Sequence, residues 1–259
     1  MYKLLVSDFD GTLIDSDEAI PLSTMVEIDR IRRGGVKFVI ATSRILKAVL
    51  DYNRDFPFLD YVISCDGAYV YDVVHRKAVW KKPLGAAVIK KIRKLYCKNP
   101  IYFCTIQESY LCHDDVVFSE VKRRRMAIAF FYEMYKDHIY KMEIKFSTKK
   151  ERDSAFSELN ELAMKANFSK IDKKKDYRII VMSKDAHKAL GLEKICKKEH
   201  VSLKDVVCVG DSDDDIPIFL SVGKSVAVSN GSRKAKKIAS MQTSSNETKG
   251  VEKAIKKLF

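Results

Sequence analysis

The sequence predicts an α/β protein: a Rossmann-like, doubly wound parallel sheet from residues 1–82 and 183–259, with a separate α+β domain, residues 83–182, inserted into it. Three observations carry this expectation. Short apolar runs alternate with helix-period segments from Lys3 to Ser64, the order that gives a parallel sheet wound with helices. After Asp66-Gly67 the pattern changes to several strand-like runs with two helices among them. After Ser183 the alternation of helix and strand resumes. The length of 259 residues agrees, because domains of about 100–200 residues allow one large or two modest units.

Each element has a local reason. The first strand, Lys3–Ser7, runs into Asp8-Phe9-Asp10-Gly11-Thr12. A helix is expected from Ser23, a candidate N-cap, through Ile31, with Gly34-Gly35 ending it. Val36–Ala41 reads as a buried strand. Helix 45–53 then leads to the strand Tyr61–Ser64, and Ala68–Asp72 with Lys77–Lys81 reads as a small hairpin. In the insert, helix 86–97 precedes strand-like runs near 101–106, 127–132 and 138–147. Helix 150–165 places Ala155, Phe156, Leu159, Leu162 and Ala163 on one face, suited to packing on a sheet. Segments 168–171 and Arg178–Met182 complete the insert. Beyond it come helix 186–199, strand Asp205–Val209, helix 216–222, strand Ser225–Val228, a short helix from Ser232 and a closing helix from Glu247.

Composition narrows the function. Apolar residues make up 46% and charged residues 32%, so the chain can bury a core and does not read as disordered. No run approaches the roughly 18 apolar residues of a membrane helix, and MYKLLVSDFD turns acidic too early for a secretory signal. A cytoplasmic protein is expected. The six cysteines form no C-x-x-C pair and the five histidines no i, i+4 pair, which argues against zinc and for free thiols. No P-loop or Gly-rich dinucleotide fingerprint appears. The net charge of +13 is uneven: residues 1–83 hold 12 basic and 12 acidic side chains, residues 84–182 hold 21 and 13, and residues 183–259 hold 15 and 10. A basic middle could attract nucleic acid, a membrane surface or an anionic metabolite, or serve only solvation. Arg123–Arg125 and Lys173–Lys175 read as solvated faces, and His113-Asp114-Asp115 as a surface turn.

The chemistry concentrates where doubly wound sheets bind ligands, beyond the carboxyl ends of the strands. Asp8 and Asp10 follow the first strand, Thr42-Ser43-Arg44 the second, Asp66-Gly67 the third, and Gly210–Asp215 a later one, while Lys188 opens the helix before it. Asp8, Asp10 and Asp211 offer hard oxygen donors that suit Mg²⁺ better than zinc or copper. Such carboxylates crowded together without a cation would repel and hold a proton. A phosphate group needs positive charge and donors, which Mg²⁺, Lys188 and the Thr42 hydroxyl could supply. One aspartate could then act as nucleophile and the other as acid and base.

Asp8-Phe9-Asp10-Gly11-Thr12, Ala41-Thr42-Ser43-Arg44, Lys188 and Gly210-Asp211-Ser212-Asp213-Asp214-Asp215 together resemble the four motifs of the haloacid dehalogenase superfamily. The insert position, the Val226–Gly231 stretch and Gly250-Val251 resemble its Cof-like sugar-phosphatase subfamily, with a large α/β cap. The resemblance implies that Asp8 is the nucleophile and Asp10 the general acid/base. It implies Mg²⁺ held by Asp8, the Asp10 carbonyl and Asp211, with Ser212 and Asp215 behind the metal site. Thr42, Ser43, Lys188 and Asp214 would lie at the substrate phosphate. Three positions depart from the family pattern: Ser43 replaces a usual Gly, and Asp66 and Asp214 replace usual Asn. The implied function is Mg²⁺-dependent hydrolysis of a small phosphorylated metabolite, with no nucleic-acid, membrane or protein partner. A phosphoryl mutase or transferase, and a non-catalytic phosphometabolite-binding protein, are the alternatives.

Overall fold

The computed structural model describes residues 2–54, 57–113, 116–119, 124–127, 131, 135, 138–162, 165–173 and 175–259. The chain divides into two compact units, one of residues 1–80 and 187–259, the other of residues 81–186.

The first unit holds eight strands among the described residues: β1 (Leu4–Asp8), β2 (Lys37–Ala41), β3 (Tyr61–Ser64), β4 (Tyr69–Asp72), β5 (Lys77–Lys81), β13 (Val206–Gly210), β14 (Lys224–Val228) and β15 (Met241–Thr243), in the order β15-β14-β13-β1-β2-β3-β4-β5. From β15 to β3 all neighbours are parallel, and β4 turns back antiparallel on β3. The central strands are buried along their length, as a sheet covered on both faces requires. Helix α1 (Leu22–Arg33) links β1 to β2, and α2 (Leu46–Asn53) links β2 to β3. The expected Ser23 cap is corrected: α1 opens after Pro21, whose carbonyl accepts from Thr24 and Met25 N–H, and the Ser23 hydroxyl instead donates to Glu252 at 2.6 Å. The N-cap thus lies at Pro21, two residues before Ser23, where proline's fixed φ suits the helix entrance.

The second unit carries β6 (Ile101–Cys104), β7 (Ser109–His113), β8 (Val116–Ser119), β9 (Arg124–Ala127), β10 (Lys141–Phe146), β11 (Ala166–Lys173) and β12 (Asp176–Ser183). They pair antiparallel in the order β11-β12-β10-β6-β7-β8-β9. Helices α3 (Ala86–Leu95) and α4 (Lys149–Glu161) bury Ile89, Ile92 and Leu159 with Phe103, Ile144 and Val181 of the sheet. Alternate strand residues therefore enter this core. Helix α4 opens on a capping box, Thr148 with Glu151. Of the expected run at 127–132, Ala127 closes the strand Arg124–Ala127; residues 128–130 and 132 lie outside the described residues, as do Ala163, Asp114, Asp115, Arg123 and Lys174 of the readings above.

Beyond the insert, α5 (Lys188–Glu199), α6 (Ile216–Phe219), α7 (Arg233–Ile238) and α8 (Gly250–Leu258) complete the first unit. Gly191 lets α5 lie directly on β3: a Cβ there would stand 2.6 Å from Ile63 Cγ2. This close approach seats the first turn of α5, and Lys188 with it, beside the strand ends. No helix among the described residues is long and apolar enough to cross a membrane.

Candidate active site

Four strand ends build the site. Asp8 is the last residue of β1, and Thr42 follows β2. Cys65-Asp66-Gly67 follows β3, and Asp211 follows β13. The parallel register sets these ends level, with Ser7 opposite Ile40 on one side and Val209 on the other. Cys65 and Asp66 take positive φ, and Gly67 has φ +94°. A Cβ on Gly67 would meet the His187 carbonyl oxygen at 2.2 Å, so glycine lets this turn reach the start of α5. The turn is tied to Thr42, whose carbonyl accepts from Asp66 N–H at 3.0 Å.

Lys188 is the centre of the site. Its side chain is 6% exposed, and Nζ donates to Asp8 Oδ1 at 2.6 Å and to Asp215 Oδ1 at 2.8 Å. The other oxygen of Asp215 accepts from the Asp211 N–H, the Ser212 N–H and the Ser212 hydroxyl, each at 3.1 Å. Asp215 therefore fixes both the lysine and the loop that presents Asp211. Thr12 Oγ1 donates to Asp211 Oδ1 at 3.1 Å. Asp8, Asp211 and Asp215 each bring a carboxylate oxygen within 4.8 Å of the others.

Electrostatics follow from crowding three carboxylates on one ammonium. Burial pushes the Asp8 carboxyl well above its usual range; Lys188 opposes this, and Asp215 and Asp211 add to it. Burial also raises Asp211, and Asp215 raises it further, while hydrogen bonds with Asp8 and Thr12 and the charge of Lys188 pull it down. Burial alone would lower Lys188, but Asp8 and Asp215 outweigh that and hold it well above its usual value. The lysine stays charged and the acids are short of positive charge. A small hard divalent cation among oxygen donors fits that deficit.

The remaining expected residues fall in distinct places. Thr42 is buried, and its hydroxyl accepts from the Arg44 N–H at 3.1 Å, leaving its own proton free to donate. Ser43 is exposed beside it. Asp10 is not one of the three clustered carboxylates: its side chain pairs with Arg44, with Nη2 2.6 Å from Oδ1. Asp214 is exposed, and its side chain makes no hydrogen bond or ion pair among the described residues. Thr12 and Arg44 lie within the motifs that carry the resemblance but have no role implied by it; their nearness in sequence to Asp10 and Thr42 is the signal that points to them.

A family model described as haloacid dehalogenase-like hydrolase matches residues 5–255. The chain belongs to that family. Its curated relatives are named as phosphatases. A protein of Mycoplasma genitalium so named is 26% identical, over 93% of this chain and 92% of its own. The Bacillus subtilis 5-amino-6-(5-phospho-D-ribitylamino)uracil phosphatase YcsE is 25% identical, over 98% and 94%. Among solved structures, a phosphatase of Bacteroides thetaiotaomicron aligns with a TM-score of 0.82 over 99% of this chain and 95% of that one, at 21% identity, which speaks for the fold. The acid cluster of Asp8, Asp211 and Asp215 offers oxygen donors that could hold a metal ion.

Proposed function

We propose that this hydrolase is a Mg²⁺-dependent phosphatase that cleaves a small phosphorylated metabolite, a sugar phosphate or similar ester, through an aspartyl-phosphate on Asp8. The observation that carries the reading is the buried lysine joining Asp8 to Asp215 beside Asp211. Asp8 is aimed by this contact and sits at the end of a rigid strand. Its carboxylate oxygen attacks phosphorus, the bond from phosphorus to the leaving oxygen breaks, and Asp10 gives that oxygen its proton. Asp10, now a carboxylate, takes a proton from water as the water oxygen attacks phosphorus and the Asp8–phosphorus bond breaks. Asp8 is thereby returned as a carboxylate and phosphate leaves.

Thr42 and Lys188 hold the phosphoryl oxygens, Thr42 through its free hydroxyl proton, with Ser43 and Asp214 bordering them. Asp8, the Asp10 carbonyl and Asp211 hold Mg²⁺, with Ser212 and Asp215 bracing that shell. When bound, the cation neutralises charge on the phosphoryl oxygens and on the crowded acids. The insert, residues 83–182 by sequence, serves as a cap that selects the leaving group. The reading is of a cytoplasmic enzyme acting on a free small molecule, and the relative named for a phosphoribitylamino-uracil ester supports a polyhydroxylated phosphate ester. A panel of phosphate esters with Mg²⁺, scored by phosphate release, tests it. Release from none of them, with the protein folded, refutes it.

A further inference from the structure

We propose that Arg44 is the positioning residue for Asp10: its guanidinium, seated against Phe9 and Tyr52, holds the Asp10 carboxyl group in the orientation needed for proton transfer. The inference rests on the functional reading above, in which Asp10 is acid and then base. It assigns a task to a residue that this reading leaves unused.

The contact has a specific form. Arg44 Nε lies 3.0 Å from both Asp10 oxygens, and Nη2 lies 2.6 Å from Oδ1. Two nitrogens thus grip one carboxylate, which fixes direction as well as distance. A lysine, with one point charge on a flexible stem, would not reproduce it. The guanidinium is itself restrained. It lies 5.2 Å from the Phe9 ring centre and 5.9 Å from that of Tyr52, whose hydroxyl accepts from Nη1 at 3.5 Å. Phe9 and Tyr52 meet edge to face at 4.9 Å, and Phe9 is fully buried.

The backbone of Arg44 is fixed as well. Its N–H donates to the Thr42 hydroxyl at 3.1 Å, and its carbonyl accepts from Cys65 N–H at 2.9 Å. One tripeptide, Thr42 to Arg44, therefore sets both a phosphate contact and the direction of Asp10. Nη2 also reaches Glu18 at 3.2 Å. That carboxylate is 68% exposed, so solvent weakens it as a rival for the guanidinium. Asp10 itself is 42% exposed, so burial alone does not hold its rotamer. The arginine is what aims it.

A positioning role differs from a merely structural one in how the loss depends on the leaving group. An alkoxide needs a proton as it departs, whereas nitrophenolate needs little. The value of kcat/KM reports events up to phosphoryl transfer to Asp8, so it isolates the acid step. The test compares glycerol 2-phosphate with p-nitrophenyl phosphate for the wild type, Asp10→Asn, Arg44→Ala and Arg44→Lys, all with Mg²⁺. For Arg44→Ala, kcat/KM on glycerol phosphate is expected to fall about a hundredfold and that on nitrophenyl phosphate by less than about tenfold, in line with the usual worth of a positioned acid.

Asp10→Asn should show the same pattern. Arg44→Ala should also give a burst of nitrophenol, because water attack on the phosphoenzyme then limits turnover. Millimolar guanidinium should restore part of the glycerol phosphate rate to Arg44→Ala and none to Asp10→Asn. Equal losses on both esters, or no rescue, overturn the proposal for Arg44. If Asp10→Asn shows no leaving-group dependence, the assignment of Asp10 has failed instead. Should Arg44→Ala not fold, Arg44→Lys carries the comparison, with the same imbalance between esters expected and its absence decisive.

Discussion

Asp8 sits where a single atom decides the chemistry. Its Oδ1 is held 2.6 Å from Lys188 Nζ, and an amide at this position can neither attack phosphorus nor bind a cation well. Asp8→Asn is therefore expected to abolish phosphate release, by several orders of magnitude in kcat, as loss of a nucleophile does. Activity within about tenfold of wild type would place the nucleophile elsewhere. The same crowding makes a pH prediction. Asp8 and Asp211 are both raised above the usual value of 3.8. A carboxyl whose folded value is raised contributes stability below its unfolded value and loses it as pH climbs through the folded one. The metal-free protein thus gives up stability across the window from about 3.8 upward to those raised values. Protons also compete with the cation there. Added Mg²⁺ should raise Tm, and by more at pH 7.5 than at pH 5, as seen by scanning unfolding in Mg²⁺ against chelator. An equal shift at both values, or none, would mean that the cluster is no cation site.

Element by element, the seat of α5 on β3 is the contact that delivers Lys188. Gly191 stands one turn into that helix, and an added Cβ would fall 2.6 Å from Ile63 Cγ2. Gly191→Ala is expected to cost about 1–3 kcal/mol by overpacking and to lower kcat by displacing the lysine. Trimming the opposing side chain, Ile63→Ala, should relieve part of both losses in the double variant, measured by denaturant unfolding and by turnover. Purely additive losses would show that the two groups do not meet. The sequence made some of these elements plain and hid others. The runs Val36–Ala41 and Tyr61–Ser64 are apolar enough to read as buried strands, and the acids that follow β1 and β13 read directly as a site. β7 and β8 are only five and four residues long and β15 only three, so none of them has a run long enough to stand out from loops. Ser23 misleads because a good capping side chain lies two residues beyond Pro21, which already caps the helix. The pairing of Asp10 with Arg44 was hidden for another reason: a side-chain rotamer across two strand ends leaves no trace in spacing.

At the scale of the whole molecule, charge is the dominant feature not yet given a task. The chain carries +13, with 21 basic and 13 acidic residues in 84–182 alone. The clustered acids Asp8, Asp211 and Asp215, by contrast, present negative charge to any phosphate ester that approaches. A field of overall positive sign raises the encounter rate with anions, and the effect extends only over the Debye length, about 10 Å at 0.1 M salt. Contacts inside the site are far less screened. Steering should therefore appear as kcat/KM that falls several-fold between roughly 0.02 and 0.3 M salt while kcat stays constant. The alternative, a lysine-rich surface that serves solubility, predicts no dependence of either constant. Measurement with saturating Mg²⁺ and a chloride salt separates the two, because chloride competes weakly with phosphate while screening equally well. Charge reversal offers an independent check. Lys90, Lys91 and Lys94 lie on one short stretch of α3, and changing all three to Glu lowers the net charge by six. That variant should lose both affinity of encounter and most of the salt dependence, with kcat unchanged. A flat salt profile in the wild type would assign the excess charge to solvation alone.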